Sequence, residues 1–417
     1  MIRIIPYRDS QRLLDRKAVR LTEAERVVAP LLKDVRLRGD AALVDYARKF
    51  DNFTGQDFRI SAAECARAAE GLPAALWLAI DAAGANIAEY ARTQLPHDSM
   101  VESADGRRLG QIVRPIDSMG AYIPSGRYPL PSTMLMTIIP AGVAGVRKTC
   151  VASPNPSIET LAIAHRFGVA DVFRLGGAQA IAAFAYGTAS VPRVERIVGP
   201  GNIYVAAAKK LVAGDVGIDF VAGPTEIVVI ACDGNPCWIA ADMLAQAEHD
   251  ADASAILLTT SAVLATAVAS EIERQIASLP AAAVAREAID RFSAIVACDD
   301  VEQALEFSNR MAPEHLALHE PELLDRIESA GSIFLGPSSP VAAGDYVSGP
   351  NHVLPTSGAA RLRGGLSAAD FVKVISVQEL SPDALARLTP QATTLARAEG
   401  LEAHARSVDI RAEARHG

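Results

Sequence analysis

At 417 residues the chain exceeds what one hydrophobic core usually serves, so two or three domains of roughly 100–200 residues each are expected. Half of it is hydrophobic and only 5% aromatic, which is the composition of an α/β protein with buried parallel strands. A net charge of −9 with no block of Lys or Arg argues against nucleic acid or an anionic membrane surface as partner.

The N-terminus, Met1-Ile2-Arg3-Ile4-Ile5-Pro6, has neither the apolar core nor the cleavage site of a signal peptide, which predicts a cytoplasmic protein. The apolar stretch Ile218–Cys232 is broken by Asp219, Pro224 and Glu226, and no segment reads as a bilayer span. Five cysteines with no C-x-x-C leave neither a disulfide framework nor a thiolate zinc site to expect.

In chain order, Glu23 to Phe50 and Ser61 to Gln94 carry apolar residues every three or four positions and are predicted helical. Gly106 to Val113 reads as a strand. The stretch Met119-Gly120-Ala121-Tyr122-Ile123-Pro124-Ser125-Gly126 is dense in small residues and proline, and predicts a loop whose backbone closely approaches a ligand. Strands and helices then alternate through Cys150–Ala152, Ser157–Phe167, Val172–Leu175, Gln179–Tyr186, Arg196–Val198 and Ile203–Leu211, the pattern of βαβ units around a parallel sheet.

Two of these strands run through glycine into a helix, at Leu175-Gly176-Gly177-Ala178-Gln179 and Val198-Gly199-Pro200-Gly201-Asn202. Such turns put N–H groups at a sheet's carboxyl edge, where nucleotides commonly bind. Neither is a G-x-G-x-x-G, so nucleotide turns and plain tight turns both stay open.

A second α/β unit follows, with strands at Glu226–Ala231, Ala255–Thr259, Ala294–Ala297 and Ser332–Leu335, and helices from about Pro236 to His249 and over Ser261–Ser278. Beyond Lys373 the chain reads as helix, in pieces at Pro382–Leu388 and Ala392–Ala398, and then as a polar tail suited to an arm onto a partner subunit.

Against this aliphatic background stand a few polar clusters. Gln246 and His249, three apart, leave one side of their helix together and offer an amide oxygen and an imidazole to a metal or a polar substrate. Glu314-His315 juxtaposes two bases of different strength, or else a helix-start carboxylate beside a surface histidine. Asp345 follows Gly344 on what reads as a rigid loop, and His352 and the pair Glu399 with His404 complete the set. A metal held by such groups has O and N ligands but no thiolate, which suits zinc at higher coordination number, manganese or cobalt. His97, His165, His319 and His416 read as loop, helix-surface or tail residues.

With these motifs in view, the chain resembles the histidinol dehydrogenase family. The matching stretches are GAYIPSGRYPLPSTMLMTIIPAGVAGV from Gly120, LGGAQAIAAFAYGT from Leu175, VGPGNIYVAAAKKL from Val198, GDVGIDFVAGPTEIVVIA from Gly214, AQAEHD from Ala245, APEHL from Ala312, GDYVSGPNHVLPTSG from Gly344 and EGLEAHARSV from Glu399.

The resemblance implies two incomplete Rossmann-like α/β lobes with small terminal arms in a domain-swapped homodimer. Its divisions are an N-terminal arm at 1–16, a metal-bearing lobe at 17–121 with 227–366, an inserted NAD-binding lobe at 122–226 and a C-terminal arm at 367–417. It implies one zinc per subunit on Gln246, His249, Asp345 and a partner's His404, NAD at Tyr122, Gln179 and Asn202, and a substrate pocket including Thr225, His352 and Glu399 beside the metal ligands. Glu314 and His315 are then the catalytic bases of a two-step oxidation of L-histidinol.

Two positions depart from the family pattern: Ser125 where glycine is usual and Thr225 where serine is usual. Ser125 restricts its loop if positive φ is needed there, and Thr225 adds a methyl to the pocket. Relatives that oxidise other alcohols, such as sulfopropanediol, carry similar Arg127-Tyr128-Pro129-Leu130 and Gly223-Pro224-Thr225-Glu226 stretches, whereas the 344–358 and 399–404 motifs look like the biosynthetic enzyme.

Overall fold

The computed structural model describes residues 1–15, 19–55, 57–125 and 129–413; Gly126 of the predicted loop and His416 lie outside them. The chain forms two compact units, Met1–Gln94 with Asp117–Phe371, and Leu95–Ile116 with Val372–Gly417.

Two six-stranded sheets organise the first unit. One runs in the order Ile4–Pro6, Ala294–Ala297, Ser254–Thr259, Glu226–Ile230, His315–Leu318 and Ser332–Leu335, every pair parallel. Successive residues of its strands point to opposite faces, and both faces are covered. Ile227, Val229, Ala255 and Leu257 pack on Ile239 and Met243 of the helix Pro236–Ala247. Val228, Ile230, Ile256 and Leu258 pack on Leu305 and Phe307 of the helix Val301–Met311. Burial on both sides is why these strands read as unbroken apolar runs.

The other sheet runs Arg59–Ile60, Asp171–Arg174, Lys148–Ser153, Ser118–Tyr122, Arg196–Val198 and Gly217–Ile218, parallel except at Arg59–Ile60. The predicted loop at 119–126 is therefore a central strand as far as Tyr122. Its small residues serve packing: a Cβ on Gly120 would stand 2.6 Å from the Phe184 ring. Ser125 is not among the described non-glycine residues with positive φ, and its hydroxyl accepts the Asn155 N–H at 2.9 Å, so serine fits there without strain.

The sheets divide the chain elsewhere than the expected lobes do. Arg59–Ile60 joins the second sheet, and Leu31, Val35 and Leu43, from the helices Val19–Arg38 and Asp40–Phe50, share a core with Phe173, Ile181 and Val205. The N-terminal segment 1–16 holds a strand, Ile4–Pro6, paired with Ala294–Ala297.

In the second unit Val372–Leu380 is a strand, antiparallel to Arg107–Pro115, which also pairs Ser99–Glu102. Pro382–Ala398 is one helix through Pro390, and Glu402–Glu413 is a further helix where a tail was expected.

Candidate active site

Two neighbouring strands of the first sheet enter it with chemistry at their amino ends. Ile227 pairs with His315 in register, so Thr225-Glu226 and Glu314-His315, 89 positions apart, meet at one edge. Glu314 Oε2 accepts the Thr225 hydroxyl at 2.5 Å and the Glu226 N–H at 2.9 Å. Thr225 Oγ1 in turn accepts the Gln246 side-chain N–H. The Thr225 hydroxyl thus has a structural task in both directions, which its extra methyl leaves intact.

Glu314 and His315 are buried. The pair sits at a strand start, not on the loop or helix start that the sequence left open. Burial lifts the Glu314 pKa above the usual carboxylate value, against the pull of His315, Thr225 and the Glu226 N–H. For His315 burial opposes the charge, but the Glu314 and Asp345 carboxylates and the Glu226 carbonyl outweigh it and raise the imidazole pKa. Nδ1 faces the Glu226 carbonyl at 3.3 Å, a contact that requires the proton on Nδ1 in the neutral ring. Nε2 is buried, makes no hydrogen bond within the chain and stands 3.8 Å from Asp345 Oδ1. That leaves a basic lone pair available to a substrate.

Asp345 lies in the short helix Val341–Tyr346 instead of the predicted rigid loop. Burial pushes its pKa up, but the surrounding imidazoles of His315, His352 and His249 hold it below the usual range. His352 fixes this helix from the other side, with Nδ1 2.7 Å from the Asp345 carbonyl and Nε2 3.1 Å from the Thr133 hydroxyl. The helix carrying Gln246 ends at Ala247, so Gln246 is buried whereas His249 lies just beyond the helix and is exposed.

Gln246, Thr225, Glu314, His315 and Asp345 therefore form one connected chain, with His249 and His352 close enough to act electrostatically on Asp345. Glu399 and His404 belong to the second unit, where both are exposed, Glu399 at the end of its helix and His404 on the last one.

Among the described residues no three His, Cys, Asp or Glu side chains form a metal-holding group. The donor set nonetheless suits a zinc ion. Gln246 spends its N–H on Thr225 and keeps its carbonyl oxygen, Asp345 is held anionic, and His249 adds an imidazole. These three groups of the first unit are the ones that could hold such an ion, one of them through an amide oxygen.

On the second sheet Tyr122 ends its strand, and Gln179 and Asn202 follow the carboxyl ends of theirs. The buried Tyr122 hydroxyl, its pKa pushed up to about 12 by burial, accepts the Gly177 N–H at 3.1 Å. Asn202 caps the helix Ile203–Val212, accepting the N–H groups of Tyr204 and Val205. Gly199, at φ +111°, has its Cα against the Tyr122 carbonyl, where a Cβ would collide.

Sequence reasoning passed over Asp242, one turn before Gln246. Its carboxylate accepts the Val341 N–H, tying the Gln246 helix to the Asp345 helix; its spacing from Gln246 was the one available signal. Burial raises its pKa to about 6 from 3.8. The unfolded chain then holds fewer protons than the folded one between these values, so the contribution to stability is present below pH 4 and lost as pH rises through 6. Asp242→Asn is expected to stabilise the protein by about 2 kcal/mol at pH 8 after discounting for partial exposure, and by almost nothing near pH 4. Chemical unfolding of both proteins at the two pH values checks this.

The histidinol dehydrogenase family model matches residues 14–412. Among curated relatives, histidinol dehydrogenase of Rhizobium meliloti is 46% identical over 97% of this chain and 95% of its own, and that of Syntrophotalea carbinolica 47% identical over 93% and 92%. The crystal structure of histidinol dehydrogenase from Elizabethkingia anophelis superposes with a TM-score of 0.94 at 36% identity, covering 100% of this chain and 99% of that one. The family match over residues 14–412 and the near-complete coverage of these relatives leave one assignment: the chain belongs to the histidinol dehydrogenase family.

Proposed function

We propose that the protein oxidises L-histidinol to L-histidine through the bound aldehyde, removing four electrons in two steps. The observation that carries this reading is the buried Glu314–His315 pair, with one open imidazole nitrogen beside Asp345. Gln246, His249, Asp345 and the partner's His404 would hold a zinc ion, which would supply a Lewis acid for the substrate's nitrogens, and NAD would supply the hydride acceptor for each oxidation.

His315 Nε2 takes the proton of the substrate hydroxyl as hydride leaves the same carbon. Glu314, whose raised pKa brings it nearer neutrality, takes a proton from the water that adds to the aldehyde. His315, once it has released its first proton to solvent, takes the hydroxyl proton of the resulting hydrate as the second hydride leaves. Two bases of different strength at one carbon suit two successive deprotonations. Thr225 and His352 line the substrate side, and Tyr122, Gln179 and Asn202 the cofactor side.

We further propose a cytoplasmic homodimer with exchanged arms, in which Glu399 and His404 of each subunit serve the partner's site. Its support is the exposure of both side chains together with exposed apolar residues on the same unit, Val374, Leu395 and Ile410, surface that a partner would cover. The lobes of this reading follow the two sheets, a metal-bearing one around 227–366 and an NAD-binding one around 122–226, to which the helices Val19–Arg38 and Asp40–Phe50 are joined through a shared core.

The test is NADH counted against histidinol consumed by zinc-loaded protein. About two NADH per histidinol supports the reading. A folded protein that leaves histidinol untouched overturns it and turns the search to other alcohols, sulfonated diols first.

A further inference from the structure

The segment from Asp345 to Val353 carries two residues of the site, and two neighbouring helices hold it from outside. Asn86, on the helix Ala74–Thr93, donates its side-chain N–H to the Val347 carbonyl at 2.7 Å. Gly349, at φ +111°, lies so close to this helix that a Cβ would stand 2.9 Å from the Asn86 carbonyl oxygen. The second anchor is the helix Pro131–Ala144, which has Pro140 inside it. In an α-helix the N–H of residue 140 would donate to the Met136 carbonyl, but proline has no N–H and its ring crowds that carbonyl. The buried Asn351 supplies the missing donor, its side-chain N–H reaching the Met136 carbonyl at 2.6 Å. Asn351 Oδ1 accepts the Val353 N–H at 2.9 Å. A carbonyl on one side and an N–H on the other therefore fix which way the amide faces.

We propose that Asn351 is a positioning residue of the active site, seated in the gap that Pro140 opens in its helix. The proposal rests on the reading above, in which His352 lines the substrate side and Asp345 stands beside it. His352 follows Asn351 directly and spans from the Asp345 carbonyl, at Nδ1, to the Thr133 hydroxyl, at Nε2. Thr133 lies three residues before Met136, about one turn along the same helix. That helix thus grips the segment at two points, once through Asn351 and once through the His352 ring. The ring in turn meets the backbone of Asp345, whose Oδ1 stands 3.8 Å from His315 Nε2. Asn351 touches none of the reacting groups, yet it sets where the ring and the carboxylate stand, and small displacements of such groups are costly to turnover.

Asn351→Asp tests the idea. It keeps the size and the oxygen that receives the Val353 N–H, but it loses the donor and turns a carboxylate oxygen towards the Met136 carbonyl. The variant is expected to lower kcat/KM for histidinol by roughly 10- to 100-fold and to weaken calorimetric binding of histidinol to the zinc-loaded protein without NAD, with the KM for NAD nearly unchanged. Its unfolding midpoint in urea falls as well, because a buried carbonyl is left unpaired. Adding Pro140→Ala separates the two roles. The restored helical N–H pairs with the Met136 carbonyl, so the double variant is expected to regain the midpoint but not kcat/KM.

An Asn351→Asp protein with parental kcat/KM for histidinol overturns the proposal. So does a double variant in which midpoint and kcat/KM return together, since Asn351 would then serve the helix alone. If Asn351→Asp does not fold, Thr133→Val decides, because it removes only the hydroxyl that holds His352 Nε2: a lowered kcat/KM for histidinol supports the proposal and the parental value overturns it. A parent that neither binds nor oxidises histidinol fells the reading of the site and this proposal with it, whereas a working parent beside unaffected variants fells this proposal only.

Discussion

His315→Ala is expected to lower kcat for histidinol oxidation by about 10²–10⁴, the usual contribution of a positioned general base, with a much smaller change in the KM for NAD. The reason lies in how the ring is held. Its Nδ1 contact to the Glu226 carbonyl fixes the tautomer, and its position at the start of a fully buried strand, between Ile227 and Ser332 in register, fixes the ring. In the proposed reaction, removing the imidazole would leave the substrate hydroxyl without a base and would leave the second sheet, proposed to receive NAD, untouched.

Glu314→Gln probes the same machinery differently. The amide oxygen still accepts from Thr225 and the Glu226 N–H, so the geometry persists, but the negative charge that raises the His315 pKa is gone. His315 then stays unprotonated to lower pH, and the acid limb of kcat/KM moves down the pH scale. Pre-steady-state and steady-state NADH formation across pH reads both effects. A His315→Ala protein that keeps parental kcat would remove this residue from the chemistry.

What the sequence made legible followed from burial. The strands at 226–230 and 254–259 are wholly buried, so their apolar runs announced themselves. Ser118–Tyr122 is nearly as buried, but its glycine and alanine imitate a loop, because the neighbouring Phe184 fills the volume that larger side chains would need. Val372–Leu380 has no buried residue, and its pairing with Arg107–Pro115 is a contact between distant segments that local pattern does not encode. Pro390 divided one helix into two on paper. In the structure the Thr393 hydroxyl returns a hydrogen bond to the Thr389 carbonyl just beside the proline, at 2.9 Å.

The site shows the same limit. The residue types of Gln246, His249, Glu314, His315 and Asp345 were visible as polar clusters, and the family resemblance gave them roles. Their wiring was not visible. Thr225 reaches Glu314 only because two parallel strands pair in one register, and Asp51 reaches Gly176 only because the first helices cover the second sheet. Acidic residues such as Asp51, Asp219 and Asp242 look like ordinary surface charges until the fold encloses them, Asp219 wholly and the other two in part.

Asp219 is the most deeply placed of these, and Lys209→Met is expected to cost about 3–5 kcal/mol of stability, the penalty for leaving a buried charge without its counter-ion. The two side chains form an ion pair with essentially no exposure. Asp219 also accepts the Gly199 N–H at 2.8 Å and the Phe220 N–H at 2.7 Å, while Lys209 donates to the Gly199 carbonyl at 3.0 Å. Both backbone groups of Gly199 are thereby held, at the very residue whose Cα rests on the Tyr122 carbonyl. The Phe220 ring lies near both the Lys209 ammonium and the Arg363 guanidinium, so the pair is enclosed on its apolar side as well.

The double variant Lys209→Met/Asp219→Asn keeps an acceptor for the two N–H groups and removes both charges, and it is expected to recover at least half of the loss, since a buried pair replaced by neutral groups is often close to neutral in free energy. Unfolding midpoints of parent, single and double variants in urea, together with the KM for NAD, separate two roles. If the double variant regains stability but keeps a raised KM for NAD, the Lys209 contact to the Gly199 carbonyl matters to the cofactor turn beyond its charge. If the single variant is as stable as the parent, the ion pair contributes nothing to the fold, and the turn at Gly199 is held by Asp219 alone.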